Sequence, residues 1–129
     1  MTLLYEELTS KILEACFEVS NELGAGFLES VYEKALLIAS HQKRLDAHSQ
    51  VPIAVIFRNE NVGDFFAEIL VEDKIIVELK AVTALVPQHK AQVINYLKAT
   101  GLEVGLLVNF GPSKIEFHRL HKPRLDRPV

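Results

Sequence analysis

One cysteine, Cys16, is all the chain has. An intramolecular disulfide and any multi-cysteine zinc site are thereby excluded, and the expected compartment is the cytoplasm. No apolar run is long enough to span a bilayer, so no membrane partner is expected. The opening Met1-Thr2-Leu3-Leu4-Tyr5-Glu6-Glu7 is acidic where a secretory signal would be basic. Positive charge is not in excess: 14 Lys and Arg stand against 17 Asp and Glu, for a net charge of -3. That is not the footprint of a strongly basic nucleic-acid binder. A bound cation can nevertheless supply local positive charge in an acidic protein. The glycine-rich phosphate loop of a nucleotide-cofactor site is missing, as are internal repeats, low-complexity tracts and linkers.

What remains is an ordinary globular composition, 49% hydrophobic and 24% charged, in 129 residues. Residues 1–129 are expected to form one domain, burying roughly two-thirds of the unfolded surface. The tail 121–129, with Lys122, Arg124, Arg127 and two prolines, is expected to be flexible.

Leu8, Ile12, Cys16, Val19 and Leu23 recur at spacings of three and four, which predicts a helix from about Glu6 to Leu23. Cys16 on that stripe reads as a small buried hydrophobe. Gly24-Ala25-Gly26 ends the helix. A second helix is predicted from about Leu28 to Lys43, with Val31, Ala35, Ile38 and Ala39 as its core face. Glu29, Tyr32 and Leu36 form a neighbouring line. Glu29 has two readings: a first-turn carboxylate favoured by the helix dipole, or a site carboxylate braced by Tyr32. Strands follow over Val51 to Arg58 and Val62 to Val71, joined by the turn Asn59-Glu60-Asn61, with a bulge or kink at Gly63. Pro87 marks the first turn of a third helix reaching Thr100. Val93, Ile94 and Leu97 face the core there, with His89, Gln92 and Tyr96 aligned beside them. Val104 to Asn109 reads as a strand buried on both faces. Lys114 to Leu120 reads as an edge strand with Ile115 and Phe117 inward. His118 and His121 lack a further spaced ligand for zinc.

The most informative stretch is Ala67 to Lys80. A three-residue turn, Glu72-Asp73-Lys74, sets Val71 opposite Ile75 and Glu68 opposite Glu78. Ile69, Val71, Ile75, Val77 and Leu79 then share one apolar face. Glu68, Leu70, Ile76, Glu78 and Lys80 share the other. Charges on a half-buried face are costly unless paired or bound to a cation. Two readings stay open at this point. One is a cross-strand ion pair of Lys80 with Glu68 or Glu78. The other is a divalent-metal site, since hard cations take oxygen ligands and need few carboxylates.

Gly26-Phe27-Leu28-Glu29-Ser30-Val31-Tyr32 matches the Gly-x-x-Glu-x-x-Tyr signature, so the chain resembles the GxxExxY protein family. The resemblance continues through Val71 to Ala81 and Ala91 to Gly101, and covers about residues 5 to 120. That family is placed in the PD-(D/E)XK nuclease-like superfamily. The resemblance implies a restriction-endonuclease-like α/β domain: a mixed central sheet flanked by helices, in the order ααβββαββ. Glu78-Leu79-Lys80 corresponds to the (D/E)-x-K element, and Glu68 to the preceding acidic ligand. Glu29 corresponds to the helical glutamate, and Gln92-x-x-x-Tyr96 to the Gln-x-x-x-Tyr element of RecB-like nucleases. The implied cofactor is Mg²⁺ or Mn²⁺, held by Glu29, Glu68, Glu78 and the Leu79 carbonyl. Glu68, Glu78, Lys80, Gln92 and Tyr96 form the implied catalytic set. The implied partner is nucleic acid, DNA ahead of RNA, with a homodimer as the expected form of any assembly. Two positions depart from the pattern: Glu68 stands where aspartate is usual, and Phe66 where arginine is frequent. The extra methylene moves the carboxylate outward by roughly 1.5 Å. The alternative is therefore an inactive nuclease-fold module for binding or assembly. A third reading is a small-molecule site with His89 and Tyr96 as contacts.

Overall fold

The structure, a computed structural model, describes residues 4–123. Its elements are α1 (Glu6–Leu23), α2 (Glu29–Gln42), β1 (Ala47–Phe57), β2 (Glu60–Val71), β3 (Ile75–Lys80), α3 (Pro87–Thr100), β4 (Val104–Asn109) and β5 (Glu116–His121). Every residue of β4 is buried, and every residue of β3 except Lys80. Strands apolar on both faces need cover on both sides, so they take the interior of the sheet. The strand order is β1-β2-β3-β4-β5, antiparallel except for the β3–β4 pair, which α3 connects as a crossover. α1 and α2 pack on one face, where Ile12, Cys16 and Leu36 meet Ile69, Val77, Leu79 and Leu106. α3 packs on the other, where Val93, Tyr96 and Leu97 meet Ile53, Ala67, Ile76 and Leu107. The described residues thus form a single domain with a five-stranded mixed sheet and three helices.

The expected helix α1 forms over the predicted residues, with Ile12, Cys16 and Val19 buried. Burial pushes the Cys16 thiol up to about 12, which leaves it inert. α2 turns a different face inward than the one expected. Tyr32, Leu36, Ala39 and Ser40 are its buried residues, and Ile38 is 59% exposed. The reason is Tyr32, whose ring stacks on Phe110 at 4.7 Å. Its hydroxyl donates to the Gly24 carbonyl at 2.6 Å and accepts from the Phe27 amide at 3.2 Å. A buried aromatic with its polar tip satisfied sets the helix rotation more firmly than two aliphatic residues do. Ile94, expected in the core face of α3, is likewise only half-buried, and Tyr96, expected beside that face, is buried in it instead.

The hairpins differ from expectation at their ends. β1 starts at Ala47 rather than Val51, which puts Pro52 in mid-strand, opposite Phe66. Proline is tolerated there because β1 is an edge strand. The β1–β2 turn is the two-residue Arg58-Asn59, both at positive φ, not Asn59-Glu60-Asn61. Such a turn matches the right-handed twist of the strands. The irregularity expected at Gly63 is present: the register shifts between Val55 and Ile56, leaving Val62 unpaired. β5 runs from Glu116 to His121, and Phe117 is 40% exposed, covered at its edge by Phe17. His121 and Lys122 are therefore not tail: the Lys122 amide donates to the Glu103 carbonyl at 2.8 Å. Arg124 to Val129 lie outside the described residues.

A second irregularity has no signature in the pattern. Ser49 pairs with Ile69 and Val51 with Ala67, but Gln50, at φ 53, and Glu68 between them do not pair. Ala47 and Ile69 pack with α1 and α2, whereas Val51 and Ala67 pack with α3. Both strands thus roll over at this one level without losing register.

The corner after β3 is held by Asn109, which is fully buried. Its Oδ1 accepts from the Val82 and Gly111 amides, both at 3.0 Å, and its Nδ2 donates to the Val82 carbonyl at 2.9 Å. A side chain thereby continues the ladder past Lys80. Gly111 is required beside it, because a Cβ there would collide with the Val82 backbone. Asn109→Ala is expected to lower unfolding free energy by roughly 2–4 kcal/mol, since it strands several backbone groups. Urea unfolding measures this, and a loss no larger than that of a surface substitution contradicts it.

Candidate active site

The site begins with the turn Glu72-Asp73-Lys74. Glu72 and Asp73 have positive φ, and the Lys74 amide donates to the Val71 carbonyl at 2.9 Å. This is the three-residue turn expected, and it pairs Val71 with Ile75, Leu70 with Ile76 and Ile69 with Val77. There the paired ladder of β2 and β3 stops. Beyond it, two side chains take over. The Leu79 amide donates to Glu68 Oε1 at 2.8 Å, and the Glu68 amide donates to Glu78 Oε2 at 2.9 Å. Each glutamate satisfies a main-chain donor that the parting strands leave free. The exchange also holds the two carboxyl groups side by side in the gap.

The gap opens toward both helical layers. Glu29, half-buried in the first turn of α2, brings its carboxyl into hydrogen-bonding range of Glu68. From the opposite face, burial raises the pKa of the Tyr96 phenol, and the charges of Glu78 and Glu68, close enough to be felt, raise it further. Glu78 is 3% exposed, so its charge has almost no water around it. Burial pushes both Glu68 and Glu78 above the usual carboxylate range, Glu68 further, to about 9. For Glu68 the neighbouring Glu29 and Glu78 carboxyl groups add to the rise, and the Leu79 amide opposes it. For Glu78 the Glu68 amide and the Lys80 ammonium oppose the rise.

Of the predicted groups, Glu68 and Glu78 are thus brought together, with Glu29 beside Glu68 and Lys80 near enough to act on Glu78 by its charge. Leu79 contributes its amide through a direct contact, while its side chain is buried under α1 and α2. Lys80 is half-buried and acts on Glu78 through its charge; among the described residues it makes no ion pair. The simple cross-strand ion pair is therefore not what the face holds. Gln92 donates to the Tyr96 hydroxyl at 3.0 Å, with Val93 and Leu97 fully buried beneath. No hydrogen bond from either reaches Lys80 among the described residues, so their place is beside the glutamates. Tyr32 does not brace Glu29, because its hydroxyl is used by Gly24 and Phe27. Three contributors had no reading in the sequence. Phe65 lies against Tyr96 with ring centroids 5.9 Å apart, Gln50 stands at the level where the strands roll, and Asn109 holds the corner after Lys80. Only Asn109 carried a signal, as the one polar residue in the apolar run from Val104 to Phe110, two positions before Gly111.

The donor chemistry, though not yet its arrangement, suits a divalent cation. The cluster is made of hard carboxyl oxygens; burial, and after it the neighbouring carboxyl groups, raise the pKa of Glu68, which a bound cation would oppose. Among the described residues no three His, Cys, Asp or Glu side chains stand ready as a ligand cage. One oxygen of Glu68 and one of Glu78 are turned onto main-chain amides instead.

Sheet order, crossover and cluster together define an α/β domain of restriction-endonuclease-like architecture. A model of the PD-(D/E)XK nuclease superfamily matches residues 6–120, and the chain belongs to that superfamily. Its members generally use divalent metal ions. Among solved structures the chain is similar to the crystal structure of SSO0001, with a TM-score of 0.55 and 18% sequence identity. The match covers 93% of this chain and 61% of that one, so the chain spans less than two-thirds of its neighbour's length. At that identity the likeness concerns the fold alone. No curated protein matches. No helix among the described residues is long and apolar enough to cross a membrane.

The raised carboxyl groups set a pH dependence. Between their ordinary value, 4.5, and their raised values, the folded protein holds protons that the unfolded chain has lost. Stability contributed by the cluster must therefore fall as pH rises from 4.5 toward about 9. In the presence of a chelator, the Tm difference between Glu78→Gln and wild type should grow in favour of the variant between pH 4.5 and about 7, the raised value of Glu78. A difference that stays constant with pH would mean that the buried pair does not titrate as described.

Proposed function

We propose that the chain is a metal-dependent phosphodiesterase that cleaves nucleic acid, DNA ahead of RNA. The observation that carries this reading is the reciprocal hold of Glu68 and Glu78, with Glu29 and Lys80 beside them, in a member of a nuclease superfamily. Glu68, Glu78, the Leu79 carbonyl and Glu29 would hold Mg²⁺ or Mn²⁺. Bound there, the ion supplies Lewis acidity toward a phosphoryl oxygen and makes water a better nucleophile. Lys80 orients the attacking water or takes its proton. Gln92 and Tyr96, already bonded to each other, support the phosphate from the α3 side. Glu29 bears on the water or the ion from the α2 side. The Gly26-x-x-Glu29-x-x-Tyr32 signature supports placement in the GxxExxY branch, and the single cysteine supports a cytoplasmic site of action.

The second reading is an inactive module for binding or assembly, in homodimeric form. Glu68 in place of aspartate favours it, as do the exposed aromatic residues Phe57 and Phe66 on the β1–β2 hairpin. Plasmid, linear duplex and single-stranded substrates, each with Mg²⁺ and Mn²⁺, separate the two. Cleavage is expected, with Glu78→Ala inactive and Lys80→Ala reduced by roughly 10²–10⁴-fold, as for a lost general base. Cleavage that survives Glu78→Ala comes from a contaminant, and no cleavage on any substrate favours the module.

Thermal unfolding tests the ion independently of turnover. At a hundred times its dissociation constant, Mn²⁺ should stabilise wild type by about 2.7 kcal/mol. Glu78→Gln should lose most of that gain. Equal responses in the two proteins would remove Glu78 from the ligand set.

A further inference from the structure

We infer that the groove between the β1–β2 hairpin and α3 binds the unstacked bases of a single-stranded nucleic acid; this rests on the nucleic-acid reading above. The groove has a volume of about 890 Å³, within the roughly 300–1,000 Å³ usual for a ligand site. It runs along one side of α3 from Gln88 to Ala99, about 16 Å at the helical rise. Val55, Ile56 and Phe65 of the hairpin form the opposite wall.

Three properties of the lining select the occupant. The first is charge. In a chain with more acids than bases, the lining contains Lys98 and His89 and no carboxylate. That suits an anionic polymer and gives a basic peptide nothing to pair with. The second is the alternation of ring and amide. Phe65 and Tyr96 are tilted by 46° rather than stacked, and Phe65 is 44% exposed, so its ring is open to a planar guest. Gln92 and Asn95 place amide donors and acceptors along the same wall, as a base edge requires. His89 Nδ1 accepts from the Val86 amide at 3.1 Å, which leaves Nε2 as a donor toward the groove. The third is continuity. Gln92 and Tyr96 line the groove, and Tyr96 also feels the charges of Glu78 and Glu68. A base seated against Phe65 therefore leads its phosphate toward the carboxylate cluster. Paired bases in a duplex offer neither free faces nor free Watson–Crick edges, so the groove distinguishes single strands from duplexes.

The test is fluorescence anisotropy on the full chain, using labelled single-stranded DNA and a duplex of the same sequence. A Glu78→Gln background keeps the strands uncut. Phe65→Ala should weaken single-strand binding about tenfold or more, in the range expected for one lost base stack. Asn95→Asp should weaken it as well, by placing a carboxylate in the acid-free wall. Both side chains are exposed, and an unchanged Tm confirms that each variant is folded. Single-strand binding unmoved by both substitutions overturns the inference, as does an equal loss for single strand and duplex. Absence of any single-strand binding by Glu78→Gln overturns it too. Cleavage by wild type is scored separately. If cleavage is absent while Phe65-dependent binding persists, the hydrolytic reading fails and the groove stands.

Discussion

The structure depends on two glutamates that occupy the space between parting strands. Antiparallel strands usually satisfy their amides on each other's carbonyls. Past Ile69 and Val77 this stops, and Glu68 and Glu78 accept from the main chain in place of carbonyls. The exchange holds the gap open without leaving buried donors unpaired. It also traps Glu78 where water hardly reaches, with Glu68 half-buried beside it, at a desolvation cost that proton uptake relieves. A cation would relieve the same cost without neutralising the ligands.

Everything near the gap is arranged to hold its walls. β1 and β2 roll over together at Gln50 and Glu68, so the acidic side chain emerges at the level where the sheet changes its packing partner. Below it, the apolar pairs of β2 and β3 keep the hairpin in register. Above it, Asn109 ties Val82 and Gly111 together and fixes the corner through which Lys80 leaves the strand. On the α2 side, Tyr32 is anchored between Phe110 and the loop at Gly24, which sets where the helix starts and hence where Glu29 stands. Tyr32 acts on the site through that placement and not through contact with Glu29.

Charge is divided by place. The acidic groups of the site lie in the gap between β2 and β3, whereas the groove beside it is free of carboxylates. An overall net charge of -3 says nothing of this division. A polyanion in the groove would meet Lys98 and no carboxylate, with the carboxylate cluster lying beyond Tyr96. Cation binding there would remove the local repulsion.

Much of this was legible along the chain. Hydrophobic period located all three helices, since stripes such as Ile12-Cys16-Val19 have few other uses. The run Val104 to Asn109 announced a strand buried on both faces. The turn at Glu72 to Lys74 set Glu68 against Glu78, because a slip of one residue would have turned an apolar face to water. Local pattern could not see what distant groups compete for. The rotation of α2 was decided by Phe110, some 78 positions after Tyr32. The roll at Gln50 came from two helical layers claiming different parts of the same strands. The groove exists only because a hairpin reaches past the sheet to lie opposite α3. Periodicity is a property of neighbours in sequence and determined where the helices and strands lie, though not the inward face of α2 or the roll between Ala67 and Ile69. Which inward faces meet, and where buried carboxyl groups find their donors, was decided by packing between segments far apart in the chain.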